Sequence, residues 1–288
     1  MHISICHTTS YLYDQPVMLD YHTIRLTPRA DSYKRLLERV LTIIPEPDGS
    51  SLMLDQNENL SQIARFNRQT SGLTVVSRLL LELNEINPFG FLVFPSSCLN
   101  LPMTYPSQMV ERLKPFLLNG SEHENVKDFI EPLIHESKSN VMEFVSLLAK
   151  KISLECTYER RYYGEPYAAQ KTLSMRRGSC RDLAVLFIES ARLAGLAARF
   201  VSGYYFDQSP QTPELHAWAE VYIPGGGWRG YDPTIGLACY GHHIVLAAAA
   251  LPSQTAAIEG AFLGKQESHM NSNIEYEYLK QPSRPVVP

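Results

Sequence analysis

Hydrophobic periodicity changes twice along this chain, and those two changes restrict its fold more than any other property of the sequence. Segments 3–13, 21–27, 40–44 and 73–83 are rich in β-branched and aromatic residues. Turn-forming clusters such as Pro45-Glu46-Pro47-Asp48-Gly49 and Asp55-Gln56-Asn57-Glu58-Asn59 separate them, which reads as short strands joined by turns and suggests a β-sandwich. Residues 87–106, with Pro88, Gly90, Pro95, Pro102 and Pro106, form an irregular connector. From about Ser121 the period lengthens. Val141, Phe144, Val145, Leu148 and Ile152 share one helical face, and a second helix is predicted over 180–194. In that helix Leu183, Leu186, Phe187, Ser190 and Ala194 face inward, and Gly195 ends it. Strand patterns then return at 197–206, 217–223, 228–232, 243–248 and 274–279. Helices followed by a run of strands imply an α+β fold, not a doubly wound sheet. The expected division is an N-terminal β-rich domain with connector over 1–120 and a second domain over 121–288, with its core at about 140–250. Three prolines in the seven residues after Gln281 predict a loose tail.

Composition narrows the function classes. A chain of 288 residues, 44% hydrophobic and 19% charged, has the make-up of a soluble globular protein with a proper core. Its formal net charge of -4 leaves no electrostatic footprint for nucleic acid or an anionic membrane. The longest apolar run, 244–251, is too short to span a bilayer, and the N-terminus lacks the basic-then-apolar pattern of a signal peptide. A reducing cytoplasm is therefore the expected location. Cysteines 6, 98, 156, 180 and 239 include no pair at CxxC spacing, so neither a zinc ribbon nor a dithiol motif is expected. The adjacent His242 and His243 point to opposite faces of a strand and have no acid or thiol at ligand spacing, so no metal or other cofactor is expected.

The chemistry concentrates in three places. Ser179 is suited to cap the second helix, with Asp182 three residues on as an aspartate version of the capping box. Cys180 then sits in the first turn, where free N–H groups and the helix dipole favour negative charge on a nucleophile or an oxyanion. His216 opens a strand that runs into Pro224-Gly225-Gly226-Gly227, and the returning strand ends at Asp232, before Pro233. A hairpin centred on Pro224 places His216 opposite Asp232 on one face, and any even change of register keeps them there. Taken singly, Cys180 reads as a small core residue, His216 as a strand histidine and Asp232 as a turn cap. Together they supply a thiol nucleophile, a base to shuttle its proton and a carboxylate to fix the tautomer of that base. Asp182 reads as a cap, not a catalyst.

The strings Arg177-Gly178-Ser179-Cys180-Arg181-Asp182-Leu183-Ala184, His216-Ala217-Trp218-Ala219-Glu220-Val221-Tyr222 and Gly227-Trp228-Arg229-Gly230-Tyr231-Asp232-Pro233-Thr234 resemble, in order and wording, the cysteine, histidine and aspartate blocks of bacterial transglutaminase-like proteins. His7-Thr8-Thr9-Ser10-Tyr11-Leu12-Tyr13 and Arg25-Leu26-Thr27-Pro28-Arg29 resemble the β-domain that precedes the catalytic domain in that family. The resemblance implies a papain-like core, in which a cysteine-bearing helix packs on an antiparallel sheet carrying histidine and aspartate. Animal transglutaminases place a tryptophan before the cysteine to help hold the oxyanion. Here both tryptophans, 218 and 228, follow it, and Tyr158 is the substitute donor beside the Cys180 N–H. Trp218, Tyr204, Glu220 and Arg181 are the candidates for a substrate cleft, with packing the alternative for any of the first three and a solvated surface position the alternative for Arg181. The implied activity is amide cleavage or exchange through a thioester, on a peptide, protein or small amide. Hydrolysis is favoured because water needs no second dedicated site. Protein crosslinking is the alternative, and a binding module that keeps the fold without the chemistry is the second.

Of the five cysteines, Cys180 is predicted to be the first alkylated in a brief iodoacetamide pulse near neutral pH, read by peptide mass spectrometry. Labelling of Cys98 or Cys239 with Cys180 untouched would contradict an activated thiol.

Overall fold

The computed structural model describes residues 1–279 except positions 32 and 86 and segments 119–123 and 207–212. The expected loose tail and the start of the helical region at Ser121 lie outside the described residues. The N-terminal region supplies β1 (His2–Ile24), β2 (Lys34–Ile44), β3 (Gly49–Leu54), β4 (Leu60–Arg65) and β5 (Gln69–Leu83). Where the turn signals suggest two strands, β1 is one continuous strand of 23 residues. It bends at a register shift between Leu12 and Val17, pairing with β5 before the bend and with β4 near its end. Residues 87–106 carry no strand, and their only regular turn is a short 3₁₀ segment at Ser96–Leu99.

The helical layer follows as α1 (Ser107–Leu117), α2 (Glu124–Glu136), α3 (Val141–Glu155), β6 (Thr157–Tyr158), α4 (Ala169–Met175), β7 (Arg177–Gly178) and α5 (Cys180–Leu193). Asn140 caps α3 by accepting the Glu143 N–H at 3.0 Å. The stripe Val141, Phe144, Val145, Leu148 and Ile152 is fully buried, as its spacing predicts. Gly195, at φ 84°, ends the α5 region as expected. A second sheet, built from β8 (Ala198–Tyr205), β9 (Leu215–Ile223), β10 (Gly227–Asp232), β11 (Leu237–Ala238) and β12 (His243–Ala249), has the order β11-β10-β9-β8-β12 and is antiparallel throughout. The alternate residues Ala217, Ala219, Val221 and Ile223 of β9 share a core with Leu183, Leu186, Phe187 and Ala191 of α5. All four of these β9 residues are small or β-branched, which lets the helix lie close to the sheet. Arg192, 6% exposed, donates to the Ala198 and Ala250 carbonyls at 2.9 and 2.8 Å and ties the end of α5 to this sheet.

The chain then returns to where it began. The last two strands, β13 (Ile258–Leu263) and β14 (Ser268–Leu279), both pair with β1, and β14 runs in register from His2↔Leu279 to Tyr13↔Ser268. Residues 258–279 therefore complete the N-terminal sheet, which corrects the expected division of 1–120 from 121–288. The reason is backbone satisfaction: without β14 the first half of β1 would leave a long unpaired edge. The sandwich is completed across that division too. Ile3, Ile5, Leu79 and Leu81 share a core with Tyr204, Phe206, Ile244 and Leu246 of the second sheet and its flanks, each contributing on the order of 1.5–3 kcal/mol by burial. Among the described residues, no helix is long and apolar enough to cross a membrane.

Deleting residues 264–288 is predicted to lower the thermal midpoint sharply and promote aggregation, because one edge of β1 and part of its core would open. A truncated chain that melts with the intact one would contradict the shared sheet.

Candidate active site

The cysteine block is built around the buried carboxylate of Asp182, which is 0% exposed. Its Oδ2 accepts the Ser179 N–H at 2.7 Å and the Ser179 hydroxyl at 2.8 Å. Its Oδ1 accepts Arg161 Nη2 at 2.6 Å and the Tyr167 N–H at 2.7 Å. Burial works against the charge, but the hydrogen bonds from Tyr167, Arg161 and Ser179 outweigh it and hold the carboxyl below its usual range. Gly178 must be glycine here, since a β-carbon would stand 2.7 Å from Asp182 Cβ. The cap expected of Asp182 is present, and it does more, pinning the 161–167 loop to the start of α5. Arg181 serves the same loop, donating to the Gly164 and Arg161 carbonyls at 2.9 and 2.7 Å. Cys180, 8% exposed, follows Ser179 as the first residue of α5. The parallel pairing of β6 with β7 sets Tyr158 beside Gly178. Burial, the nearby Cys180 and Glu214 together raise the Tyr158 pKa, so its hydroxyl remains a donor.

The second half of the site comes from the sheet. The β9–β10 pairs run from Ile223↔Gly227 to Ala219↔Tyr231, so Asp232 falls level with Trp218. That is two residues from the expected pairing with His216, an even displacement that preserves the common face. His216 Nε2 reaches Asp232 Oδ2 at 2.7 Å, and Oδ1 accepts the Thr234 N–H at 2.9 Å. With Nε2 committed to Asp232, Nδ1 is the other ring nitrogen, and Cys180 lies close enough to this ring to favour its charged form. Burial disfavours the imidazolium, but the charge and hydrogen bond of Asp232, helped by Cys180, push the His216 pKa up to about 10. Asp232 is 0% exposed, and despite that burial the charge and hydrogen bond of His216 and the hydrogen bond of His243 hold its carboxyl far below the ordinary range.

The remaining expected cleft residues are elsewhere. Trp218, 1% exposed, stacks on the His216 ring with centroids 6.2 Å apart, as a buried backstop. Gly203 makes room for its indole, since a β-carbon there would stand 2.7 Å from Trp218 Cη2, whereas one at Gly230 would stand 2.8 Å from Cys239. Tyr204 is fully buried, and its hydroxyl meets His7 Nδ1 at 3.0 Å. Glu220 is held by Arg199 at 2.6 Å. Trp218 and Glu220 do line a cavity of about 240 Å³ with Tyr33, Arg199, Arg229 and His243, but neither Cys180 nor His216 lines it. These positions correct the expectation of a cleft made from Trp218, Tyr204, Glu220 and Arg181. On the Cys180 side the exposed residues are Tyr158, Tyr162 and Tyr163, at 44%, 63% and 73%. The ion pair Arg160–Glu214, at 3.3 Å, links the segment ahead of α5 to the start of β9. No local pattern marks Arg160 and Glu214 as partners, because 54 positions of sequence separate them.

A helix that presents a thiol at its N-terminus, packed on an antiparallel sheet that presents a hydrogen-bonded histidine and aspartate, defines the papain-like core shared by transglutaminases and cysteine proteases. Comparison with known proteins agrees. Residues 127–233 match the pattern of the transglutaminase-like superfamily, and residues 3–82 match the bacterial transglutaminase-like N-terminal region. An uncharacterised protein of Mycobacterium tuberculosis is 27% identical over 248 residues, covering 80% of this chain and 77% of its own. Another, from Mycobacterium leprae, is 22% identical over 289 residues, covering 96% and 98%. The crystal structure of a "Putative Cysteine Protease" from Cytophaga hutchinsonii superimposes with a TM-score of 0.71 at 20% identity, over 99% of this chain and 93% of that one. This chain belongs to the transglutaminase-like superfamily and carries the family's bacterial N-terminal domain.

The His216 pKa implies a pH signature. A folded value raised from 6.5 to about 10 means that the stabilisation is complete below about 6.5 and is lost as pH climbs towards 10. Denaturant unfolding at several pH values is expected to show this decline in the wild-type chain and a flatter profile in His216→Asn. Identical slopes would contradict the pairing.

Proposed function

We propose that this chain is a cysteine-dependent acyl-transfer enzyme that cleaves a peptide or other amide bond through a thioester on Cys180. The observation that carries the reading is the position of His216, whose ring bonds the buried Asp232 carboxylate and lies close enough to Cys180 for the two to influence each other's charge. In the reactive form of the pair, the thiol proton resides on His216 and the sulfur is a thiolate. The thiolate attacks the amide carbonyl, and the developing oxyanion is received by the Cys180 N–H at the head of α5 and by the Tyr158 hydroxyl. His216 gives its proton to the departing amine as the C–N bond breaks. Water then enters, loses a proton to His216 and attacks the thioester, releasing the acid and returning the proton to sulfur. Asp232 stays ionised throughout, holding the ring and its charge.

Hydrolysis is favoured over transamidation. Water needs no docking site, whereas an amine acceptor needs one, and the 240 Å³ cavity offers no surface from Cys180 or His216. Crosslinking by an amine that attacks the same thioester is the second reading. The substrates proposed are peptides, proteins or small amides, and a cytoplasmic location is proposed with them.

Screening against peptide and glutamine-donor libraries, with and without added amine, tests the reading. Cys180→Ala is expected to abolish turnover and His216→Ala to do nearly as much, while Asp232→Asn keeps the fold and loses roughly 10²–10⁴ in rate. The losses should not add, because the three residues act as one unit. Full activity in Cys180→Ala would overturn the mechanism.

A further inference from the structure

His243 is a second histidine on Asp232. Its Nε2 lies 3.1 Å from Oδ2, the same oxygen that receives His216 Nε2. It stands at the start of β12 opposite Tyr205 of β8, a different part of the sheet from the β9–β10 hairpin that carries the other two groups. The side chain is 2% exposed, and its Nδ1 has no hydrogen-bond partner. Rings surround it, with centroids of Tyr205 at 4.5 Å, Trp218 at 5.1 Å and Tyr240 at 6.1 Å.

This environment selects one protonation state. Bonding Asp232 requires a proton on Nε2, because a carboxylate only accepts. A second proton on Nδ1 would be buried with nothing to accept it, and would place another positive charge on a ring whose centroid is 6.4 Å from that of His216. The titratable groups around His243 are Asp232 on β10, His216 on β9, Tyr205 on β8, Tyr240 ahead of β12 and Lys34 at the start of β2. Asp232 alone among them favours a charged ring, and it already faces the His216 imidazolium. Burial lowers the His243 pKa in the same sense.

We infer that His243 is a positioning residue for the triad: a neutral, fixed donor that holds Asp232 Oδ2 towards His216 and takes part of that oxygen's basicity. One oxygen thus serves two histidines, one charged and mobile in its proton, the other neutral and permanent. The consequence for His216 is a proton held less tightly than an unshared carboxylate would hold it, which suits a group that must release the proton in each half-reaction. The inference rests on reading His216 as the base of the proposed enzyme, but its test does not require turnover.

Imidazole nitrogen NMR on the intact chain reads both histidines directly. In the wild type, His243 is expected as the Nε2–H tautomer with a bare Nδ1, titrating below the ordinary imidazole range. Removing the donor with His243→Leu should shift the His216 titration upward by roughly 0.5 to 1 pH unit, the equivalent of one neutral hydrogen bond. His243→Gln, whose amide nitrogen reaches the position of Nε2, should restore the wild-type value. A wild-type His243 that titrates near its ordinary value, or that carries its proton on Nδ1, would overturn the inference even if the leucine variant failed to fold. So would a glutamine variant that behaves like leucine, or a leucine variant whose His216 titrates as in the wild type. Iodoacetamide labelling of Cys180 in the wild type separates the two ideas. An inert Cys180 with the His243 result intact would remove the enzyme reading and leave the hydrogen-bond assignment standing.

Discussion

One buried carboxylate organises the candidate active site of this protein. Asp232 has no exposure to solvent, and a carboxylate taken out of water is costly unless every lone pair finds a donor. Thr234 N–H serves Oδ1, and the two histidines serve Oδ2. Those donors arrive from β9, from β12 and from the turn after β10, so satisfying Asp232 requires the sheet to be assembled in its full order. Gly203 belongs to the same requirement: it admits the Trp218 indole, which stacks on the His216 ring.

A second buried carboxylate does the equivalent for the nucleophile. Asp182 gathers Ser179, Arg161 and Tyr167 onto the start of α5 and fixes the loop that approaches Cys180. The two halves bring His216 and Cys180 together, so the placement of α5 on the sheet sets the geometry of the candidate site. That placement depends on Arg192 at one end of the helix and on the small residues of β9 along its length. The N-terminal sheet supports the second sheet through Tyr204, Phe206, Ile244 and Leu246.

Local patterns were sufficient for the parts of this architecture that local physics decides. The stripe on α3, the capped start of α5 and the common face of His216 and Asp232 all follow from spacing. The last survives a two-residue displacement of register because side chains alternate with period 2. Non-local pairing was not legible. Nothing in residues 268–279 says that they pair with residues 2–13, and the division of the chain at residue 120 failed for that reason. For Trp218, Tyr204 and Glu220 the sequence leaves cleft and packing both open, and the neighbouring strands decide for burial. His243 was within reach. Alternation separates it from His242, which instead meets the Tyr278 hydroxyl at 3.2 Å through Nδ1. Its partnership with Asp232 needs the order of the sheet as well.

The central claim is that acyl transfer passes through the sulfur of Cys180, and a covalent intermediate is its most direct consequence. The decisive measurement is peptide mass spectrometry of the chain quenched in acid during turnover of an amide substrate. The account predicts an added acyl group on the Cys180 peptide that is labile to hydroxylamine, forms before steady state and is absent from Cys180→Ala. Product formed at full rate with no acyl group on Cys180 at any time would contradict it.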